Sequence, residues 1–248
     1  MRILLSNDDG VHAQGLASLH AELAKEHDVT VIAPDRNCSG VSNALSLQQP
    51  LRIQQMNTGF YAVNGTPSDC VHLGINCFMQ DDPQLVVSGI NHGANLGDDV
   101  IYSGTVAAAT EGRYMGLPAI AVSLCQQKNG HFATAAKVAC DIIRHLGQHP
   151  LAADQILNIN VPDVPYELLN GIQVTRQGRR HRAESMLKSQ DPWGREIYWY
   201  GKVGQEQDAG PGTDFHAIAN GYCSVTPLSV DMTAYQSMDE MQNWIEKL

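Results

Sequence analysis

The sequence predicts an α/β fold with a mostly parallel sheet covered by helices on both faces, and three observations predict it. The chain opens with a βαβ pattern, later apolar runs keep alternating with helix-length periodic stretches, and two of the runs break into Gly-bearing segments with Asn or Asp. Ile3-Leu4-Leu5 is the first run. Leu16, Leu19 and Leu23 follow at the spacing of one helix face, and Val29-Thr30-Val31-Ile32-Ala33 is a second strand ended by Pro34. A third strand is predicted at Leu85-Val86-Val87-Ser88, breaking into Gly89-Ile90-Asn91-His92-Gly93. A small-residue helix near 105–115 leads to a strand at 119–123, then to an amphipathic helix over 133–146 and a strand at 156–162.

Beyond about Arg180 the character changes. Arg179-Arg180-His181-Arg182 is basic, Ile197-Tyr198-Trp199-Tyr200 is aromatic, and 205–212 is polar and rich in Gly and Pro. Residues 1–180 are therefore assigned to the core and 181–248 to a C-terminal hairpin or arm. Trp193, Trp199 and the neighbouring tyrosines suit a subunit interface, although a hairpin folded onto its own core would use them equally well.

The 248 residues suffice for one large α/β core. A net charge of −10, without a basic cluster on any predicted helix, argues against a duplex nucleic-acid surface, which needs Lys and Arg to displace counterions. A small anionic substrate remains compatible if helix ends and a metal hold it locally. The first apolar run is too short for a secretory signal and no later run reaches the length of a membrane span, so the chain is expected to be soluble and cytoplasmic. The six cysteines form no Cys-x-x-Cys pair, and reduced thiols are expected.

The chemistry starts at Asn7-Asp8-Asp9-Gly10, immediately after the first strand. Adjacent carboxylates at a strand's carboxyl end repel each other, and a divalent cation would keep both ionised. The same tetrapeptide would also serve as a plain turn. Ser39 after the second strand and Asn91 after the third add a hydroxyl and an amide oxygen, a donor set suited to magnesium or manganese. Tyr102-Ser103-Gly104-Thr105 then precedes an Ala-rich helix, where backbone N–H groups, hydroxyls and the positive helix end could converge on a phosphate. The alternative for Ser103 is an ordinary N-cap. Asn95 could add an amide donor.

At this point the residues resemble a known family. Ser6-Asn7-Asp8-Asp9-Gly10, the Ser39-Gly40 loop, Gly65-Thr66-Pro67-Ser68-Asp69-Cys70, the run from Val87 to Gly97 and Tyr102-Ser103-Gly104-Thr105-Val106 are similar to the SurE survival-protein family of metal-dependent nucleotidases. The likeness continues through Leu157-Asn158-Ile159-Asn160-Val161-Pro162, Asp191-Pro192-Trp193-Gly194-Arg195 and Ser224-Val225-Thr226-Pro227-Leu228.

The resemblance implies a Rossmann-like core with one divalent cation per subunit, held by Asp8, Asp9, Ser39 and Asn91. It implies hydrolysis of nucleoside monophosphates at the 5′ or 3′ position, with short polyphosphate trimmed by some members, and homodimers or homotetramers joined through C-terminal arms. On this reading Asn95, Ser103, Gly104 and Thr105 hold phosphate oxygens, and Asp8 or Asp9 takes the proton of the attacking water. His12 is left without a role. Two rivals are carried forward. In one, Asp8 is itself the nucleophile of an aspartyl-phosphate, although Gly10 stands where such enzymes place a second Asp. In the other, the chain is a nucleotide-binding stress-assembly module that does not hydrolyse its ligand.

Overall fold

The computed structural model describes residues 1–125, 130–152 and 154–247. The predicted βαβ start is present as β1 (Arg2–Ser6), α1 (Gln14–Leu23) and β2 (Asp28–Pro34). After a long loop come β3 (Ile53–Gln55), β4 (Tyr61–Val63) and α2 (Pro67–Leu73), then β5 (Leu85–His92), α3 (Gly104–Tyr114), β6 (Ala119–Cys125), α4 (Phe132–Leu146) and β7 (Gln155–Pro162). The remainder holds β8 (Ile172–Val174), β9 (Arg179–Arg180), β10 (Leu187–Gln190), β11 (Glu196–Trp199), β12 (Glu206–Asp208), α5 (Asp214–Ala219), β13 (Cys223–Ser229) and α6 (Met238–Ile245).

Nine strands form one sheet in the order β3-β4-β2-β1-β5-β6-β7-β13-β8. The central pairs, β2 with β1, β1 with β5, β5 with β6 and β6 with β7, are all parallel, whereas β13 runs antiparallel to β7. The order reverses beside β1, so the crevice outside the carboxyl ends of β1 and β5 is the place where such a sheet binds ligands.

Both faces are covered, as alternate side chains of buried strands require. Ile3, Leu5, Val87 and Ile120 face α1 and α4, while Leu4, Val86 and Ala121 face α2 and α3. Small residues let α3 lie close to the sheet: a Cβ on Gly112 would stand 2.7 Å from the Val86 side chain. On the α3 face the strands become polar toward their carboxyl ends, with Ser6, Ser88, Ser123, Asn158 and Asn160 all fully buried.

Two expectations need correction. Strand β5 does not end at Ser88: it continues through Asn91 to His92, with a register shift against β6 between Ser88 and Asn91. Gly89 allows this, because its φ is +130° and a Cβ there would lie 2.2 Å from the Val122 carbonyl oxygen. Asn91 is therefore a strand residue paired with Ser123 rather than a turn residue. Part of the stretch assigned to the arm also returns to the core, since β13 lies inside the main sheet between β7 and β8. The β10–β11 hairpin pairs separately, with Trp193, Trp199 and Tyr200 exposed.

Candidate active site

The tetrapeptide after β1 is both a turn and a carboxylate pair. The Asn7 side chain closes the turn, its amide donating to the Gly10 carbonyl at 3.0 Å and its oxygen accepting from the Gly10 N–H at 3.2 Å. That closure frees Asp8 and Asp9 from turn chemistry. The second strand-end loop is tied to them by the Cys38 N–H, which donates to the Asp8 carbonyl at 2.7 Å and brings Ser39 to the same edge. The end of β5 is tied by the His92 N–H, which donates to Asp9 Oδ2 at 3.0 Å, with Asn91 as the preceding residue. Two further strand ends thus meet Asp8 and Asp9, with Ser39 and Asn91 each next in sequence to the contacting residue.

Helix α3 arrives with its amino end against Asp8. Thr105 Oγ1 donates to Asp8 Oδ1 at 2.5 Å, and a Cβ on Gly104 would stand 2.7 Å from Asp8 Cβ and 3.0 Å from its Oδ2. Only glycine permits that approach. Asp8 is 3 % exposed, and burial pushes its carboxyl up to about 6. The Thr105 hydroxyl acts in the opposite sense, and the neighbouring Asp9 charge raises the value again. A carboxylate held this far inside, with one side-chain donor, is relieved by a proton or by a nearby positive charge.

The donor set fits a hard divalent cation. Two carboxylates, a hydroxyl and an amide are oxygen ligands without thiolate or imidazole, and the Asn91 amide nitrogen already donates to the Gly93 carbonyl at 2.9 Å, which leaves its oxygen for another partner. Among the described residues no group of three or more His, Cys, Asp and Glu side chains is placed to hold a metal ion.

The four residues assigned to phosphate divide. Gly104 and the first turn of α3 stand at Asp8, with helix-start N–H groups that lack intrahelical acceptors. Ser103 is the N-cap of that helix, its oxygen accepting the Val106 N–H at 3.1 Å. The Thr105 hydroxyl is turned to Asp8. Asn95 is engaged in the core: its amide donates to Ser123 Oγ at 2.7 Å, its N–H to Asn160 Oδ1 at 2.8 Å, and its carbonyl accepts from the amides of Asn158 and Asn160. His12 is exposed at the surface beyond this turn.

Sequence reasoning did not find Asn158 and Asn160 as supports. Their signal was present, as two amides on the same side of an otherwise apolar strand. A cavity of about 680 Å³ opens from Ser103 along α3, lined by Ser42, Asn43, Ile101, Arg176 and Met232 among others.

Comparisons with known proteins bear on the family. The family model described as "Survival protein SurE" matches residues 3–184. A protein named 5'-nucleotidase SurE from Pseudoalteromonas atlantica is 72 % identical over 248 residues, spanning all of both chains. The crystal structure of the SurE protein from Aquifex aeolicus superposes with a TM-score of 0.88 at 43 % identity, covering 98 % of this chain and 99 % of that one. Carboxylate pair, helix start and full-length likeness lead to one assignment: the chain belongs to the SurE survival-protein family.

Proposed function

We propose that the chain is a metal-dependent phosphomonoesterase that releases phosphate from nucleoside 5′-monophosphates, with 3′-monophosphates and short polyphosphate as further substrates. The observation that carries the reading is the contact of the amino end of α3 with Asp8: a helix start, whose free N–H groups suit a phosphate, lies beside a carboxylate pair of which Asp8 is buried. The name of the Pseudoalteromonas relative supports the nucleotide class, and the cavity beside Ser103 has room for a nucleoside.

Asp8, Asp9, Ser39 and the Asn91 amide oxygen would hold one magnesium or manganese ion per subunit. Bound there, the cation supplies charge neutralisation at a phosphoryl oxygen and a more acidic water. The protein's own contribution is positional. The first turn of α3 and the Ser103 hydroxyl orient the remaining phosphate oxygens, and Gly104 keeps the helix start close enough to do so. The Thr105 hydroxyl fixes the rotamer of Asp8, and a carboxylate oxygen of Asp8 or Asp9 receives the proton of the attacking water.

The assembly is a homodimer or homotetramer joined through the arm within 181–248, where Trp193, Tyr198, Trp199 and Tyr200 are exposed on the hairpin and Met238, Met241 and Trp244 on α6. Light scattering on the full chain tests this, and a monomer at micromolar concentration would overturn it. No described helix is long and apolar enough to cross a membrane, and we place the enzyme in the cytoplasm.

A phosphate-release assay on a panel of mononucleotides, with magnesium, manganese or chelator, tests the function. Metal-dependent release by the wild type that is lost in Asp8→Asn is expected. Tight nucleotide binding without release would instead make the chain a binding module, and a hydroxylamine-sensitive phosphoenzyme would make Asp8 a nucleophile.

A further inference from the structure

Asp214 is a wholly buried carboxylate outside the proposed metal-ligand set, and it lies beyond the residues matched by the family model. It starts α5, and its two oxygens accept three backbone N–H groups. Oδ2 takes Gly97 N–H at 2.7 Å, while Oδ1 takes Gly178 N–H at 2.8 Å and Phe215 N–H at 2.9 Å. A buried charge needs such partners, and the two oxygens of a carboxylate can hold several backbone donors from unrelated segments at once.

The Gly97 bond crosses 117 residues of chain. Gly97 has φ +52°, and a Cβ on it would stand 2.7 Å from the Phe215 ring, so the backbone is wedged between that ring and the Asp214 carboxylate. Gly97 opens the short 3-10 helix 97–102, which ends at Ser103, the cap of α3. A second clamp holds the same turn: the Arg180 N–H donates to Asp98 Oδ2 at 2.8 Å, and its Nε donates to Asp99 Oδ2 at 2.9 Å. Asn95, two residues before Gly97, is held by Asn158 and Asn160.

We propose that Asp214 is a positioning residue that, with Arg180 as its outer support, fixes the 97–102 turn and thereby sets the start of α3 against Asp8. The inference rests on the phosphatase reading for its consequence, which is phosphate affinity, but not for its mechanical part. The C-terminal segment then governs the geometry of the phosphate cradle without touching substrate, and it does so without touching Asp8, Asp9, Ser39 or Asn91.

The test uses full-length wild type, Asp214→Asn, Arg180→Ala and Thr213→Val. Thr213 caps α5 through its own hydroxyl, so Thr213→Val weakens the same helix and leaves the Asp214 bonds in place. Manganese affinity is read from the free-ion spin-resonance signal, inorganic phosphate affinity by calorimetry on the manganese-loaded protein, and the amides of Ser103 to Val106 by hydrogen exchange. Asp214→Asn should lose about tenfold or more in phosphate affinity, and Arg180→Ala about threefold. Both should speed exchange at the α3 start while binding manganese as the wild type does, and Thr213→Val should stay within about twofold on every readout. Phosphate affinity unchanged in a folded Asp214→Asn, or reduced equally in Thr213→Val, overturns the proposal. Should Asp214→Asn not fold, Arg180→Ala decides by the same two readouts. Failure of the manganese-loaded wild type to bind phosphate would sink the phosphatase reading, and the exchange rates would then judge the positioning claim alone.

Discussion

Helices α2 and α3 start on the same face of the sheet, each with a buried carboxylate at its amino end, but the carboxylates have different origins. Asp69 belongs to α2 itself and completes a capping box, accepting the Thr66 N–H at 2.8 Å while the Thr66 hydroxyl accepts the Asp69 N–H at 3.1 Å. It takes a further N–H from Ser46 at 3.0 Å. Burial alone would raise the Asp69 carboxyl, yet these donors hold it below its ordinary value. Asp8 comes to α3 from a strand 97 residues away and meets one hydroxyl, and burial pushes it up to about 6. The first helix start is closed by its own residues. The second is capped by Ser103 alone, and Asp8 brings it a charge that this cap does not need.

The comparison is broken most directly by removing each charge in turn. Asp8→Asn should lower phosphate release at least about 10³-fold, because the proposed metal ligand and the helix partner go together, whereas Asp69→Asn should leave turnover within about threefold. Equal losses from the two variants, read as kcat/KM, would erase the distinction. Gly104→Ala comes next. The added Cβ must push α3 away from Asp8, and a displacement of about 1 Å in the cradle should cost about 10²-fold in kcat/KM with the chain still folded. A fully active Gly104→Ala would show that the close approach is incidental.

The electrostatic half of the comparison can be sharpened by pH in the presence of chelator. A carboxyl raised from 3.8 to about 6 in the folded state contributes stability below pH 4 that disappears as pH rises through 6. Metal-free Asp8→Asn should therefore match the wild type near pH 4 and exceed it by roughly 2–3 kcal/mol at pH 7, measured by urea unfolding. Asp69 has the opposite sign, since its lowered carboxyl contributes stability above its unfolded value and loses it as pH falls. Asp69→Asn should destabilise by about 1 kcal/mol at pH 7, with the gap narrowing toward pH 3. A metal-free Asp8→Asn less stable than wild type at neutral pH would contradict the picture of an uncompensated charge.

Much of this contrast was legible in the sequence because it is local. Apolar alternation located β1, β2, β6 and β7, helical spacing located α1 and α4, and the Asp pair and the Ser103-Gly104-Thr105 start were visible as short motifs. What escaped depends on residues distant in the chain. Nothing around Asn91 signals that β5 slips its register and carries it along as a strand residue, since the cause is the closeness of Val122 to Gly89. Thr105 reads as a phosphate donor by itself, and only the fold turns its hydroxyl to Asp8. The supports from Asn158, Asn160 and Asp214 cross 63, 65 and 117 residues, beyond the reach of any periodicity. The division at residue 180 followed composition, which registers exposure of the hairpin but not the return of β13.

That return has a consequence for synthesis. Strand β7 keeps one flank of unpaired backbone groups until β13 inserts beside it, and β13 is synthesised well after β7. A nascent chain halted before Cys223 therefore ends its sheet on the raw backbone edge of β7, and β8 has no strand to join until β13 arrives.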